Sequence, residues 1–391
     1  MRHIGTQAFG IRLPIISQGD DLAGIVADSL HEALLERQLT LCATDVVGIT
    51  EAMVAKAQGN FASLDHIAED MRRKFPQDEV GVVFPILSRN RFLNILKGIS
   101  RGVGKVHLLL QYPHDEVGNP IMNPEEVDLL HDSGKTLFSA DEFKKMTGAY
   151  SHPFTGIDYI SLYQQAGEHI EVHLATDPRR ILDLTPNILV GEIHTRMLTK
   201  KRLLKAGAKT VFTLSDILSS PVNGSGYNPH YGILGSNMSG SETLKLFPRD
   251  CDVFVRQARE RIAAKCRAAP EVLIYGDGAF KDPLAGIWEL ADPVVSPAFT
   301  EGLRGRPREI KIKLVADTLF QHMKGMEKTA AVTEIIRAKN QDKNQTYPSE
   351  GTTPRNYVDL LGSLCDLISG SGDKGTPVVL IQGYFDDYSV Q

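Results

Sequence analysis

The chain has 391 residues, 42% of them hydrophobic and 23% charged, with a net charge of −5. That is enough chain for two or three domains, and it has the apolar content of a globular rather than a disordered protein. The acidic balance argues against general nucleic-acid binding, no apolar run reaches membrane-spanning length, and the opening MRHIGTQAFGIRLP lacks the apolar core of a signal peptide. Cys42, Cys251, Cys266 and Cys365 lie far apart without metal-finger spacing. They read as reduced core thiols of a cytoplasmic protein.

Ile11 to Ile16 is a short strand signal interrupted by Pro14, and Gly19-Asp20-Asp21 precedes a helical pattern of Leu22, Ile25, Val26, Leu30 and Leu34. Asp20 or Asp21 suits an N-cap, and an anion site at the same helix start is the sharper alternative. Asp45 to Thr50 is a buried strand that leads into EAMVAKAQGN. There Lys56 is either a solvated helix residue or a cation within reach of a phosphate. Val80 to Leu87 is a third strand, followed by the pair Arg89 and Arg91, which suits carboxylate or phosphate recognition or a charged surface equally. A helix through Phe92, Ile95, Leu96 and Ile99 and a strand Val106 to Leu110 come next. From Gln111 to Pro153 the pattern loosens into loops and short helices, read as an insertion or lid.

Strands return at Ile170 to Ala175 and Ile188 to Ile193, and the second ends at His194, a metal ligand or acid–base group unless it is merely hydrogen-bonded. A helix over Lys200 to Ala206 and a strand Thr210 to Thr213 follow. Residues 223–237 are rich in Gly, Asn and Ser, as expected of a flexible loop or an anion cradle. Asp250 and Asp252 begin a helix containing Phe254, Val255, Ala258 and Ile262, where capping competes with metal binding.

The stretch from Glu271 to Pro297 organises the reading. Val272 to Tyr275 is a short buried strand that ends in Gly276-Asp277-Gly278, with Lys281 and Asp282 just beyond. Glycines allow close backbone approach to a phosphate, a carboxylate can hold a metal, and a lysine can neutralise phosphate charge at the carboxyl edge of a sheet. A plain Asp-Gly turn is the more common use of such a window. Lys311 to Phe320 reads as strand into helix, and residues 336–350 are polar. Near the end, GSGDKGTP with Asp373 and Lys374 precedes the strand Val378 to Gln382. The order of a P-loop is absent, as are the dinucleotide fingerprint and the nucleophile elbow.

Several of these windows, in this order, resemble the coenzyme F420-0:L-glutamate ligase (F420-0:gamma-glutamyl ligase) family. IRLPIISQGDDLAGIVADSL and DVVGITEAMVAKAQGN are similar to its first block, YGILGSN and LKLFPRDCD to its Asn-Ala-Gly-Val-Asp-x-Ser-Asn block and following helix start, VLIYGDGAFKDP to its strand and Ser-Asp-Thr-x-Gly-Arg turn, and IKLVADTLF and GSGDKGTPVVLIQG to its last two blocks. Together they cover about half of the chain. The resemblance implies an enzyme that uses GTP (or ATP) with Mg2+ or Mn2+, and K+ as an accessory cation, to phosphorylate a carboxylate acceptor and join it to L-glutamate by an amide bond.

It implies Asp277 as a metal ligand, Asp250 and Asp252 as acids at the matching helix start, and Lys56 and Lys281 as catalytic cations; for the family's second metal carboxylate, which is replaced here, His194, Asp20 and Asp21 are the candidates. Gly19, Asp20, Asp21, Arg89, Arg91, Ser236, Asn237, Gly276, Gly278 and Lys374 are the expected nucleotide-binding set. The departures are specific. Leu234-Gly235 replaces the family's Val-Asp, Ala52 replaces a lysine, Gly276-Asp277-Gly278 replaces Ser-Asp-Thr, and there is extra chain around 111–180 and 320–360.

The expectation is an α/β (α+β) fold with a mixed sheet core and two domains, 1–150 with 309–391 forming one and 151–308 the other, which carries Asp277. Its partners are the small-molecule acceptor and glutamate, with no nucleic acid and no membrane, in a homodimer. The alternatives are a nucleotide-binding or regulatory protein that has lost the chemistry, and a metal-dependent phosphohydrolase.

Overall fold

The structure is a computed structural model that describes residues 3–89, 91–116, 118–148, 150–276, 280–281, 288–289, 296–307, 309–341, 356–369 and 372–389. The chain starts with β1 (Gln7–Ile11), α1 (Leu22–Arg37), β2 (Val46–Thr50) and α2 (Glu51–Gln58). Of the expected strand Ile11 to Ile16 only Ile11 is extended in a sheet. Pro14 has no N–H to give to a ladder, so the strand forms before it. α1 buries Leu22, Val26, Leu30 and Leu34, and the Asp21 carboxylate caps it by accepting from the Gly24 amide at 3.2 Å. Next come β3 (Phe61–Ser63) and α3 (Leu64–Lys74), the latter opened by a Ser63–His66 capping box.

A six-stranded sheet occupies the middle of the chain. Its elements are β4 (Glu79–Val83), α4 (Phe92–Gly102), β5 (Lys105–Gln111), α5 (Pro124–Asp132), β6 (Phe138–Ser139), α6 (Ala140–Thr147), α7 (Tyr159–Gln164), β7 (Ile170–Ala175), β8 (Asn187–Val190), α8 (Arg196–Lys205) and β9 (Thr210–Thr213). The strand order is β6-β7-β5-β4-β8-β9, and every pairing is parallel except that of the edge strand β6. The chain moves outward from β4 through β5 to β7, then returns to place β8 on the other side of β4. That is the doubly wound arrangement, with its switch point between β4 and β8. The strand pairing runs across residue 150, because β5 and β6, before it, both bond to β7 after it.

The remaining elements are β10 (Asn237–Met238), β11 (Thr243–Lys245), α9 (Cys251–Cys266), β12 (Glu271–Tyr275), β13 (Phe280–Lys281), β14 (Trp288–Glu289), β15 (Ala298–Phe299), α10 (Ile312–Thr318), α11 (Gly325–Gln341), α12 (Tyr357–Ile368) and β16 (Val378–Gln382). They complete a five-stranded mixed sheet of order β1-β16-β2-β12-β15, in which only β2 and β12 are parallel. β3, β11 and β10 form a small antiparallel sheet beside it. Alternation along a strand sends successive side chains to opposite faces. Val47, Ile49, Val272 and Ile274 therefore pack with α1 and α9, while Val46, Leu273 and Tyr275 pack with α12. The fold is thus α/β with mixed sheets, as expected. Lys311 to Phe320 differs from its reading: α10 is helical from Ile312, none of its residues is buried, and no strand is described there. The polar residues 336–341 continue α11, because Val332 and Ile336 are buried at helical spacing.

Gly48 shows how tightly β2 is covered. A β-carbon built there would lie 2.3 Å from Cys365 Sγ on α12. Gly48→Ala is expected to lower stability by about 1–3 kcal/mol through overpacking. Urea unfolding should show the loss, and Cys365→Ala in the same chain should recover part of it.

Candidate functional site at one edge of the five-stranded sheet

β2 and β12 run parallel and end side by side, with Thr50 paired to Tyr275. β16 is antiparallel to β2 and begins at that edge. The Pro377 carbonyl accepts from the Thr50 amide and from the Tyr275 hydroxyl, each at 3.0 Å. β1 ends at the same place, because Ile11 pairs with Val378. Four segments singled out in the sequence therefore leave one edge: Gly19-Asp20-Asp21 after β1, Glu51 to Lys56 after β2, Gly276 after β12 and Lys374 before β16. Parallel strands gather ligands at their carboxyl ends, where loops and backbone donors converge. The Gly19 amide, at φ 90°, donates to the Ala57 carbonyl at 2.8 Å and ties the first loop to α2.

Asp20, Asp21 and Asp250 line one cavity of 240 Å³ between the starts of α1 and α9 and the face of α2 that carries Val54, Ala57 and Gln58. The three acids differ in what they already do. Asp20 accepts from the Ser17 amide at 2.6 Å, and Asp21 caps α1 while lying 3.4 Å from the Arg261 guanidinium. Asp250 stands at the N-cap position of α9 with φ 52°, but its side chain makes no capping hydrogen bond. The capping reading therefore holds for Asp21 and not for Asp250. Carboxylates are hard oxygen donors of the kind that Mg2+ or Mn2+ takes, but among the described residues these three do not stand close enough together to form a ready-made ligand set. Lys56 is half-buried on α2 and is not among the residues lining this cavity.

Polar contacts hold the 223–249 loop against the end of α2. Gln58 exchanges hydrogen bonds with the Arg249 backbone at 2.7 and 2.8 Å. The Asn60 amide donates to the Phe247 carbonyl at 2.6 Å and its carbonyl accepts from the Tyr227 amide at 3.0 Å. The Arg249 guanidinium sits 4.6 Å from the centre of the Tyr227 ring. Asp250 is carried into the cavity by the segment these contacts fix.

The first residue after β2 is Glu51, 1% exposed, which forms a buried ion pair with Lys245 of β11. Lys245 pairs with Asn237 across the hairpin, and the adjacent Ser236 is 1% exposed with no described hydrogen-bond partner for its hydroxyl. Sequence reasoning selected Ser236 and Asn237 but missed Glu51 and Lys245. A carboxylate directly after a buried strand was the available signal for Glu51, and nothing local marks Lys245. Burial pushes the nearby Cys251 thiol up to about 12, with the Glu51 carboxylate adding to the effect. It therefore stays protonated and unreactive at neutral pH. In the native chain a thiol reagent at pH 8 should label the exposed Cys42 quickly and leave the buried Cys251 and Cys365 unlabelled until unfolding, as read by mass spectrometry.

The other expected site residues lie elsewhere or are not described. Arg89 and Arg91 follow β4 in the six-stranded sheet, and Arg91 is 4% exposed. His194 follows β8, exposed, and lines a crevice of 130 Å³ with His114, Glu116 and Glu192 at the switch point between β4 and β8. None of the three is on the edge that gathers the other segments. Gly276 is buried at the end of β12, and Lys374 is exposed before β16. Asp277 and Gly278 lie outside the described residues, and Lys281 is described only as backbone in β13, paired with Trp288.

A mixed α/β fold whose acids, lysines and glycine turns leave a single sheet edge defines an α/β protein of the class that handles small polar ligands. The sequence model of the F420-0:gamma-glutamyl ligase family matches residues 10–383, nearly the whole chain, and the chain belongs to that family. Its general activity is that of the gamma-glutamyl ligases, enzymes that form amide bonds on small-molecule substrates. No curated protein matched the chain. Among the described residues no helix is long and apolar enough to cross a membrane.

Proposed function

We propose that this chain is a nucleotide- and divalent-metal-dependent ligase that adds L-glutamate to a carboxylate acceptor through an acyl phosphate. The observation that carries the reading is the convergence of four separate family-like segments on one sheet edge, with Asp20, Asp21 and Asp250 lining one cavity beside it. The cavity is smaller than the roughly 300–1,000 Å³ of a typical small-molecule pocket. It suits the phosphate end of a nucleotide rather than the whole of it.

In this scheme an acceptor carboxylate oxygen attacks the terminal phosphorus of GTP or ATP and the nucleoside diphosphate leaves. The glutamate amine then attacks the acyl carbon, inorganic phosphate leaves, and the amine loses its proton to solvent or phosphate. Asp250 and Asp20, with Asp277 from the family resemblance, would hold Mg2+ or Mn2+, which when bound neutralises charge on the phosphates. Lys56, Lys281 and Lys374 offset the remaining phosphate charge, and the buried Ser236 hydroxyl with Asn237 orients a polar substrate group. Arg89, Arg91 and His194, on the other sheet, take no part. The acceptor is F420-0 or another carboxylate such as a folate, K+ is an accessory cation, and the working unit is a cytoplasmic homodimer.

A second reading rests on Leu234, 1% exposed where the family carries the first residue of Val-Asp, so that no carboxylate stands in that turn. It is a nucleotide-binding protein without turnover. Phosphate release from GTP and from ATP, with Mg2+ or Mn2+, glutamate and a panel of carboxylates, separates the two. Release that needs both acceptor and glutamate and is lost in Asp277→Asn supports the ligase. Release that needs neither points to a hydrolase, and bound nucleotide with no release points to the second reading.

A further inference from the structure

β7 carries Glu171-Val172-His173, and a Glu-x-His spacing in a strand puts both side chains on one face. The neighbouring parallel strand β5 places His107 opposite Glu171. We propose that His107, Glu171 and His173 form a binding site for a divalent cation of the Zn2+ type, independent of the ligase site and at the opposite end of the six-stranded sheet from its switch-point crevice.

Four observations carry this. First, the three ligand atoms lie within 4.8 Å of one another. Glu171 Oε2 is 3.3 Å from His107 Nδ1 and 3.8 Å from His173 Nε2. Two ligands about 2.05 Å from one tetrahedral ion are about 3.3 Å apart. Second, His107 Nδ1 and His173 Nε2 are both buried and make no hydrogen bond of good geometry, each only approaching the Glu171 carboxylate, and His107 is only 4% exposed. Buried ring nitrogens left unpaired cost free energy unless something else occupies them.

Third, the surroundings are those of a metal-ligating histidine. His107 Nε2 sits 3.0 Å from Glu79 Oε1 on β4. A carboxylate on that nitrogen holds the proton there and directs the Nδ1 lone pair at the ion. Fourth, Lys105 Nζ occupies Glu171 Oε1 at 3.1 Å, which leaves Oε2 turned toward the two imidazoles. Two nitrogens and one carboxylate oxygen suit Zn2+ or Co2+ over Mg2+ or Ca2+, with water in the fourth position. The bound ion would clamp β5 to β7 near their starts.

The test is titration of the metal-stripped full-length chain with Co2+ in the presence of excess Mg2+, read by visible absorption, followed by displacement with Zn2+. One equivalent of Co2+ with the intense bands of a four-coordinate site is expected. His107→Gln and His173→Gln should abolish those bands, and Glu79→Gln should weaken binding by about 10–100-fold. Glu171 is exposed, so Glu171→Gln removes a ligand without a packing penalty and serves if a buried-histidine variant misfolds; it should weaken binding by at least about tenfold. A wild-type chain without these bands, or bands that persist unchanged in correctly folded His173→Gln or Glu171→Gln, as judged by circular dichroism, would overturn the assignment. Phosphate release from nucleotide plays no part in this readout, so failure of the ligase reading leaves it untouched.

Discussion

Lys245→Met is expected to lower folding stability by about 3–5 kcal/mol, because it removes the cation from a buried ion pair. The Glu51 side chain is 2% exposed and the Lys245 side chain 11% exposed, so water screens little of the loss. Two buried charges cost more to desolvate singly than as a pair. The double variant Glu51→Gln, Lys245→Met should therefore regain most of the stability that the single variant loses. Urea unfolding of wild type, both single variants and the double variant closes that cycle. A change below about 1 kcal/mol in Lys245→Met would show the pair to be solvated like an ordinary surface bridge. The same variant should also reduce ligase turnover. The Lys245 side chain ties β11 to the start of α2, and β11 pairs with β10, which begins at Asn237 beside Ser236.

Asp250→Asn should separate function from stability in the opposite sense. Its carboxylate makes no capping bond, and asparagine tolerates the left-handed backbone that Asp250 adopts at φ 52°. Stability should move by less than about 0.5 kcal/mol. Turnover should fall on the order of 100-fold, the equivalent of about 2.7 kcal/mol of charge stabilisation at the phosphates. Asp21→Ala makes the useful contrast. That residue caps α1, so its loss should cost about 1 kcal/mol of stability. Steady-state kinetics against Mn2+ concentration, beside thermal melts of both variants, checks the pair. Equal turnover in Asp250→Asn and wild type would remove Asp250 from the metal set.

Local pattern carried much of the architecture. The strand limits Ile170 to Ala175, Thr210 to Thr213 and Val378 to Gln382 were legible to the residue, and so was the buried face of α1. Each is written in neighbouring residues, as apolar runs or 3.6-residue periodicity. Lys311 to Phe320 misled for the same reason. KIKL alternates like a strand, but a strand needs a partner, and the segment instead turns into the unburied α10. The site was legible in part. The Gly-Asp-Asp helix start and the acid before α9 were visible as residue types, but only their positions in space distinguish the capping Asp21 from the uncapping Asp250.

By itself, then, the sequence determined the class of fold, the order of the strands along the chain and the family-like blocks, because each depends on residues close together in the chain. Which blocks share an edge was decided by tertiary structure. β2, β12 and β16 come from opposite ends of the sequence, and their hydrogen-bond ladders bring Thr50, Tyr275 and Pro377 together. Glu51 and Lys245, 194 residues apart, meet only because the small sheet docks against α2. Arg89, Arg91 and His194 follow strands of the six-stranded sheet and not of the five-stranded one, a placement that the strand pairing decides. Side-chain chemistry is local, whereas convergence on a common ligand is set by strand pairing over long chain separations, which no short window of sequence encodes.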